Sequence, residues 1–337
     1  MINFFVLLEN KRMMKRIFEL DYMRGIAMLF VVMGHILEFG LNADRYSYAF
    51  MAIVQMPLFF TVSGYLAYKD KEHEGMDTLH RFLVRSRILL VPLVVWSVIL
   101  NVCKEEITCS QAMVCSGGYW FFLALWWCDF FYTCANYFLK RYKLCLFIDI
   151  VLYTIIYAVI LLLRIKGINL GGLLPIQNVQ YYFLFFALGL LMRKYTMIHK
   201  WVLNKYTYAI GLITILVAWY LLRMQSFPIY FLGGVGGVII FWMICKEIPS
   251  EKKWARTLSV IGKNTLPIYA IHYLFITTLP QRLHDAVNVP MGFFLQFVIA
   301  FAYTVIVVIL CLIIDRIISI NPITRMVFFG ESKKREW

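Results

Sequence analysis

The sequence predicts an all-α polytopic membrane protein of about ten transmembrane helices, with both termini in the cytoplasm. Three observations predict it. The 337 residues are 62% hydrophobic and 15% charged, with a mean hydropathy of +0.74, whereas soluble domains carry about a quarter charged residues. Apolar runs long enough to cross ~30 Å of hydrocarbon recur at 23–40, 49–68, 87–103, 118–138, 145–163, 178–192, 206–222, 227–245, 264–280 and 292–314. Finally, the two termini and the connections after runs two, four, six and eight hold 26 of the 33 Lys and Arg. The other connections hold Arg45, Lys104, Arg164, Lys166, Arg223 and Arg282, and Arg24 lies inside the first run. Positive charge marks the cytoplasmic side of membrane proteins, so the alternation sets the orientation and favours an even number of spans. The net charge of +14 is thereby topological, and no nucleic-acid partner is predicted.

Three segments follow: a cytoplasmic N-terminal segment at 1–22, a ten-helix membrane domain at 23–318 and a basic cytoplasmic tail at 319–337. No cleavable signal peptide is predicted, because Phe4–Leu8 is too short for its apolar core and precedes Lys11, Arg12, Lys15 and Arg16. Met14 stands as an alternative start. None of the eight cysteines forms a CxxC pair, and only Cys109 and Cys115 share an outer loop where a disulfide has room to form. Metal-ligand spacing is missing throughout, so no metal is predicted.

From Met23 to His35 the first run carries Arg24 and His35 as its only strongly ionisable groups. Burying such a group at mid-bilayer costs at least ~2.5–3.5 kcal/mol, so each is expected to face a protein interior with a function. Eleven residues is close to three helical turns, which puts both side chains on one face, about 16 Å apart at ~1.5 Å per residue. Glu38, three residues after His35, shares that face and can orient the imidazole.

The second run contains Pro57 and Ser63-Gly64, a small-residue pair that lets another backbone or a ligand approach. The polar connection Lys69–Arg87 ends in Arg81, Arg85 and Arg87 at the entry to the third run, which continues to Pro92. Arginines at that boundary suit the phosphates of a soluble donor. The fourth run opens on Tyr119-Trp120, read as an interfacial belt, and carries Asp129 halfway through, where it must find a partner or water. Asp149 in the fifth run lies near the cytoplasmic end, where solvent is expected to reach it. Gly233–Gly237 in the eighth run reads as close helix packing, since it lacks the Lys and the strand of a nucleotide loop. In the ninth run Asn264 is expected as N-cap, with Pro267 in the first turn. Tyr269 and His272 share a face there, and His272 sits about 12 Å into the membrane at ~1.5 Å per residue.

Taken together, Arg24-x10-His35, Leu58-Phe-Phe-Thr-Val-Ser-Gly-Tyr65, the basic entry to the third run ending in Pro92, Tyr119-Trp-Phe121 and Asn264-Thr-Leu-Pro-Ile-Tyr-x-x-His272 resemble the acyltransferase-3 family. These are integral-membrane O-acetylases of bacterial cell-surface sugars, and the resemblance runs from residue 20 to 275. Members often carry an Arg-x-x-Arg pair before the third helix, where this chain has Arg81-x3-Arg85-x-Arg87. The resemblance implies acetyl-CoA or another acyl-CoA as co-substrate, a glycan or lipid-linked sugar as acceptor, and residence in the bacterial cytoplasmic membrane among its lipids. It admits a homo-oligomer.

Acyl transfer to an alcohol needs a base, and imidazole, with a pKa near ~6.5, is the usual one. His35 is the expected base. Arg24, expected with His35 as the catalytic pair, lies nearer the cytoplasm, where it can hold the donor; Arg81, Arg85, Arg87 and Ser63 are expected to bind the acyl donor, with Ser63 also able to serve as a covalent acyl carrier. Glu38, Trp120, Asp129, Tyr269 and His272 are expected to line the cavity. A transporter or flippase of a glycan or small substrate is the competing reading, because the same buried polar groups serve transport pathways.

Overall fold

The structure is a computed structural model and describes residues 18–41, 43, 45–68, 75–103, 118–139, 145–168, 170–221, 227–278 and 293–331. Among these residues it is helical, without strands. The helices are α1 (Phe18–His35), α2 (Arg45–Ala67), α3 (Gly75–Cys103), α4 (Trp120–Leu139), α5 (Leu146–Ile165), α6 (Ile176–Lys194) and α7 (Thr196–Val202). They continue as α8 (Lys205–Tyr220), α9 (Phe227–Lys246), α10 (Lys253–Lys263), α11 (Thr265–Thr278), α12 (Phe293–Ile318) and α13 (Pro322–Phe329).

Each of the ten expected runs coincides with a helix, but not every helix meets the demands of a span. Six of the described helical stretches are long and apolar enough to cross a bilayer: Phe18–Gly40, Tyr48–Ala67, Thr78–Cys103, Leu146–Ile165, Ile229–Lys246 and Phe294–Ile318. The pair α7 and α8, bent by 59°, would make a seventh. The shortfall has local causes. α4 carries Asp129 and Asn136 among its aromatics and α6 carries Gln177, Asn178 and Gln180. α11, with 14 residues, reaches only ~21 Å at ~1.5 Å per residue.

The centre of the bundle is α1. It packs against α2, α9, α10, α11 and α12, and 72% of its span is buried, as is 72% of α2. By contrast only 17% of α5 and 28% of α12 is buried. Those two turn Phe147, Ile165, Phe294 and Ile306 outward, as helices facing lipid do.

Glycines set how closely the central helices approach. Gly64 of α2 lies against the Phe186 carbonyl and Gly189 of α6 against the Thr61 carbonyl, so a Cβ at either would overlap the opposing backbone. In α9, Gly234 and Gly237 face Pro57 and Val54 of α2, while Gly233 and Gly236 face Ala218 and Thr214 of α8. The glycine run therefore seats α9 between two neighbours, the packing role expected for it.

Four local expectations change. The stretch from Gly75 to Arg87 is the opening of α3 rather than a loop, so Arg81 and Arg85 sit on one face of a helix, four residues apart. Asp149 is 2% exposed, not solvated; it pairs with Lys194 and accepts a 2.7 Å hydrogen bond from the Tyr195 hydroxyl. Asn264 is no N-cap by its side chain: it ends α10, and its Nδ2 donates to the Val260 carbonyl at 2.8 Å. The first half of the C-terminal segment is folded as α13. Asn321 caps it and Pro322 opens it. Gly330 closes it in the left-handed conformation, φ 66°. Within this segment Arg325, 2% exposed, is held by Asp315, Ser319 and Glu331. The possible Cys109–Cys115 pair lies outside the described residues.

Candidate functional site

The site is built on α1, which presents two polar clusters on one face. The lower cluster begins with Asp21, which is buried and bonds the Arg24 guanidinium at 2.5 Å. Its second carboxylate oxygen accepts from the Ser259 hydroxyl at 3.4 Å. Ser259 comes from α10, an amphipathic helix that reaches α1 because Gly262 lies against the Asp21 carbonyl and Gly25 against Leu258. The same helix ends in Lys263, and with it a cavity of about 520 Å³ opens between α1, α2, α3, α4 and α11.

Helical rise orders the walls of that cavity. Asp21, Arg24, Ser63, Lys263 and Thr265 line its polar end. One turn deeper on their own helices stand Met28 above Arg24, Phe59 above Ser63 and Tyr269 above Thr265. Phe121 and Phe122 complete an apolar inner end. The cavity is thus amphipathic along its axis: Lys263 and the Arg24–Asp21 pair at one end, aromatic rings at the other.

Beyond the rings lies the upper cluster. Tyr269 donates to the Gly118 carbonyl at 2.5 Å, and Tyr119 donates to the Ala270 carbonyl at 2.8 Å. These reciprocal bonds pin the opening of α4 to α11 and hold the Tyr269 ring as a partition. On its far side the Tyr269 ring meets His272, centroids 5.5 Å apart, and His272 stacks on His35, also at 5.5 Å. The Nε2 of His35 lies 3.0 Å from the Tyr273 hydroxyl, whereas its Nδ1 stands 4.0 Å from Glu38, too far for a hydrogen bond. Immediately after His35 the backbone widens into a π-helical turn, Ile36–Gly40, a feature that often marks functional sites in helices. The His35 side chain is 17% exposed and that of Glu38 40%, and neither lines the cavity.

Of the residues singled out from the sequence, Arg24, Ser63 and Tyr269 line the cavity, while His35, Glu38 and His272 form the upper cluster. One chamber running from Arg24 to His35 was expected; an aromatic layer divides it instead. Trp120 stacks on Tyr182 at 5.6 Å and is not part of the cavity wall. Asp129 is 4% exposed and pairs with Arg85 at 3.4 Å. Neither lines the cavity, yet they stand one turn outward of Leu89 and Leu125, which do, so the pair flanks its polar mouth. Arg81 lies a further turn out. Arg87 is turned elsewhere, its Nε donating to the Gly330 carbonyl at 2.9 Å.

Sequence reading missed Asp21, Ser259, Lys263 and Tyr273. Lys253–Lys263 reads as a basic connection, and only the alternation of Trp254, Leu258 and Ile261 with Lys and Arg hints at an amphipathic helix. Tyr273 gave no signal beyond its position next to His272. Among the described residues no group of three His, Cys, Asp or Glu side chains converges as a metal site would require.

A family model described as an acyltransferase domain matches residues 17–315. No curated protein and no solved structure matches the chain.

Proposed function

Since the chain belongs to the acyltransferase-3 family, a family of membrane acyltransferases, we propose that it moves an acetyl or similar acyl group from acyl-CoA to a sugar hydroxyl. The donor is cytoplasmic, the acceptor is a cell-surface or lipid-linked glycan, and the membrane is the bacterial cytoplasmic membrane. The observation that carries this reading is the cavity, cationic at its mouth and apolar at its inner end, placed directly beneath the His35 cluster. An acyl-CoA has that same polarity, with phosphates at one end and an uncharged thioester arm at the other. Arg24 and Lys263 at the mouth, with Arg85 beside it, suit the phosphates. The arm then points toward Tyr269.

The acceptor comes from the flank where Glu38 is exposed. His35 takes the hydroxyl proton as the sugar oxygen attacks the thioester carbon; the carbon–sulfur bond breaks, and the departing thiolate takes the proton back from the imidazolium. Arg24 lies about 16 Å from His35 along α1, at ~1.5 Å per residue, so it holds the donor's distal end rather than the reacting carbonyl. Tyr269 must leave the Gly118 carbonyl for the thioester to pass, which costs one hydrogen bond, about 1 kcal/mol. Direct transfer needs no covalent enzyme intermediate, and Ser63, at the polar end of the cavity, is far from His35 along the same axis.

Membranes containing the protein, supplied with radiolabelled acetyl-CoA and isolated surface glycan, test the reading. Label should appear on the glycan as an alkali-labile ester, in proportion to acetyl-CoA. Glycan movement across the membrane with no dependence on acyl-CoA would overturn it.

A further inference from the structure

We propose that α13 is a membrane-embedded helix, its outer face seated among the acyl chains of the leaflet in which α12 ends. The partner is lipid hydrocarbon, and the assignment stands independently of the acyl-transfer reading.

α13 is built inside out. Its exposed residues are Pro322, Ile323, Met326 and Val327, every one of them apolar, and Ile323 is 71% exposed. The residues it turns inward are Arg325, 2% exposed, and Phe329, while Thr324 and Phe328 are half-buried. A surface helix in water shows the reverse arrangement, charge outward and an apolar stripe on the core. The inversion is tolerated because the charge is balanced internally: Arg325 is held by Asp315, Ser319 and Glu331, partners without which its burial would be costly. Hydrocarbon is the surrounding in which such a helix is turned the right way, with its polar groups satisfied inside and apolar side chains outside.

The exposed face also continues a surface that faces lipid. Ile309, Ile313 and Ile317 of α12, each half exposed or more, follow one another at four-residue steps along one face. Ile320 and Ile323, both largely exposed, carry the row across the turn into α13. Arg316, exposed in the last turn of α12, has a stem long enough to lie on apolar surface while its guanidinium reaches the lipid phosphates.

Nor does α13 leave the bundle. It runs back against α3, within a stretch long and apolar enough to span. The Phe328 carbonyl accepts from Trp96 Nε1 at 3.1 Å, and the Phe329 ring stacks on that of Trp96, centroids 6.0 Å apart. Trp96 stands about 13 Å along α3 from Arg87 at ~1.5 Å per residue. A helix departing into the cytoplasm would reach neither group. Residues 320–329, expected in the cytoplasm with the basic tail, thereby lie in the membrane.

The test reads the surroundings of Ile323. The full chain is placed in lipid nanodiscs with an environment-sensitive fluorescent amino acid encoded at position 323, 306 or 251, in separate preparations. Ile306 of α12 is the lipid-facing reference, and exposed Glu251, in the connection before α10, is the aqueous one. Emission from 323 should be blue-shifted and quenched by acyl-chain-brominated phospholipid to the extent seen at 306. Iodide in the buffer should quench 251 and leave 323 unchanged. Iodide quenching at 323 equal to that at 251 would put the face in water and overturn the proposal. Shielding from both quenchers, with two chains cross-linked through position 323, would give the face to a second copy and overturn it as well. Ile323→Asp decides the matter without a bulky probe. An acidic residue in the first turn favours a helix in water, so a solvated α13 would lose nothing by it. In lipid the same change should unseat α13 and raise trypsin cleavage at Arg325 several-fold over wild type, with Ile323→Leu unaffected. Cleavage of Ile323→Asp at the wild-type rate overturns the proposal.

Discussion

Two identical substitutions, Gly64→Ala and Gly34→Ala, should change stability in opposite directions. At Gly64 the added methyl lands on the Phe186 carbonyl of α6, and the reciprocal contact sets Gly189 against the Thr61 carbonyl of α2. Both sides are backbone, so no flexible side chain can give way. To regain ordinary contact distance the helices must part by on the order of 1 Å. Overpacking of this kind costs about 1–3 kcal/mol, and the rigidity here places it at the upper end. At Gly34 the nearest foreign atom is Gln55 Oε1 at 3.7 Å, an ordinary contact, and replacing a helical Gly by Ala gains about 1 kcal/mol of propensity. The two variants should therefore differ by roughly 2–4 kcal/mol, or roughly 3–6 °C in unfolding midpoint for a chain of this size. Thermal unfolding in a single detergent, followed by tryptophan fluorescence, measures the difference. Equal midpoints, or a Gly64→Ala protein as stable as wild type, would refute the close backbone packing of α2 on α6.

Three further outcomes are expected. Arg325→Met leaves buried Asp315 and Glu331 without their cation and should cost about 3–5 kcal/mol, read as a lowered midpoint and as faster proteolysis after residue 320. Leu266→Trp fills part of the cavity wall and should raise KM for acetyl-CoA about tenfold while leaving the unfolding midpoint within a few degrees. Lys263→Met removes a cation from the mouth; at about 1.5–3 kcal/mol for a charge-assisted bond it should weaken acetyl-CoA binding roughly 10- to 100-fold, with kcat little changed, as titration calorimetry and steady-state kinetics would show.

The helices were legible in the sequence because each run of apolar residues is long and its flanking charge is consistent. The pairing of His35 with His272 was harder to see. Two buried imidazoles in one chain suggest a common site, but only the crossing of α1 and α11 brings them within 5.5 Å. Glu38 looked like the orienting group because i,i+3 spacing puts it on the same face, and the π-helical turn after His35 leaves it 4.0 Å away. Tyr273, which does reach His35, depends on the register of α11 against α1, and no periodicity encodes that. The arginines before α3 divided for similar reasons: Arg85 found Asp129, and Arg87 found the carbonyl of Gly330, 243 residues further along. The aromatic partition was least visible of all. Tyr119 and Tyr269 both read as ordinary membrane tyrosines until their hydroxyls are seen to bond each other's neighbouring backbone.

The central claim is that donor binding and proton removal are separated along α1, with Arg24 and Lys263 serving the first and His35 the second. Purified full-length protein and its His35→Ala variant, compared for acetyl-CoA affinity and for acyl transfer under saturating donor and acceptor, test it most directly. The account predicts affinity unchanged within about threefold and turnover reduced by roughly 10²- to 10⁴-fold, the usual contribution of a general base. Turnover at the wild-type rate, or an affinity that collapses together with it, would contradict the account.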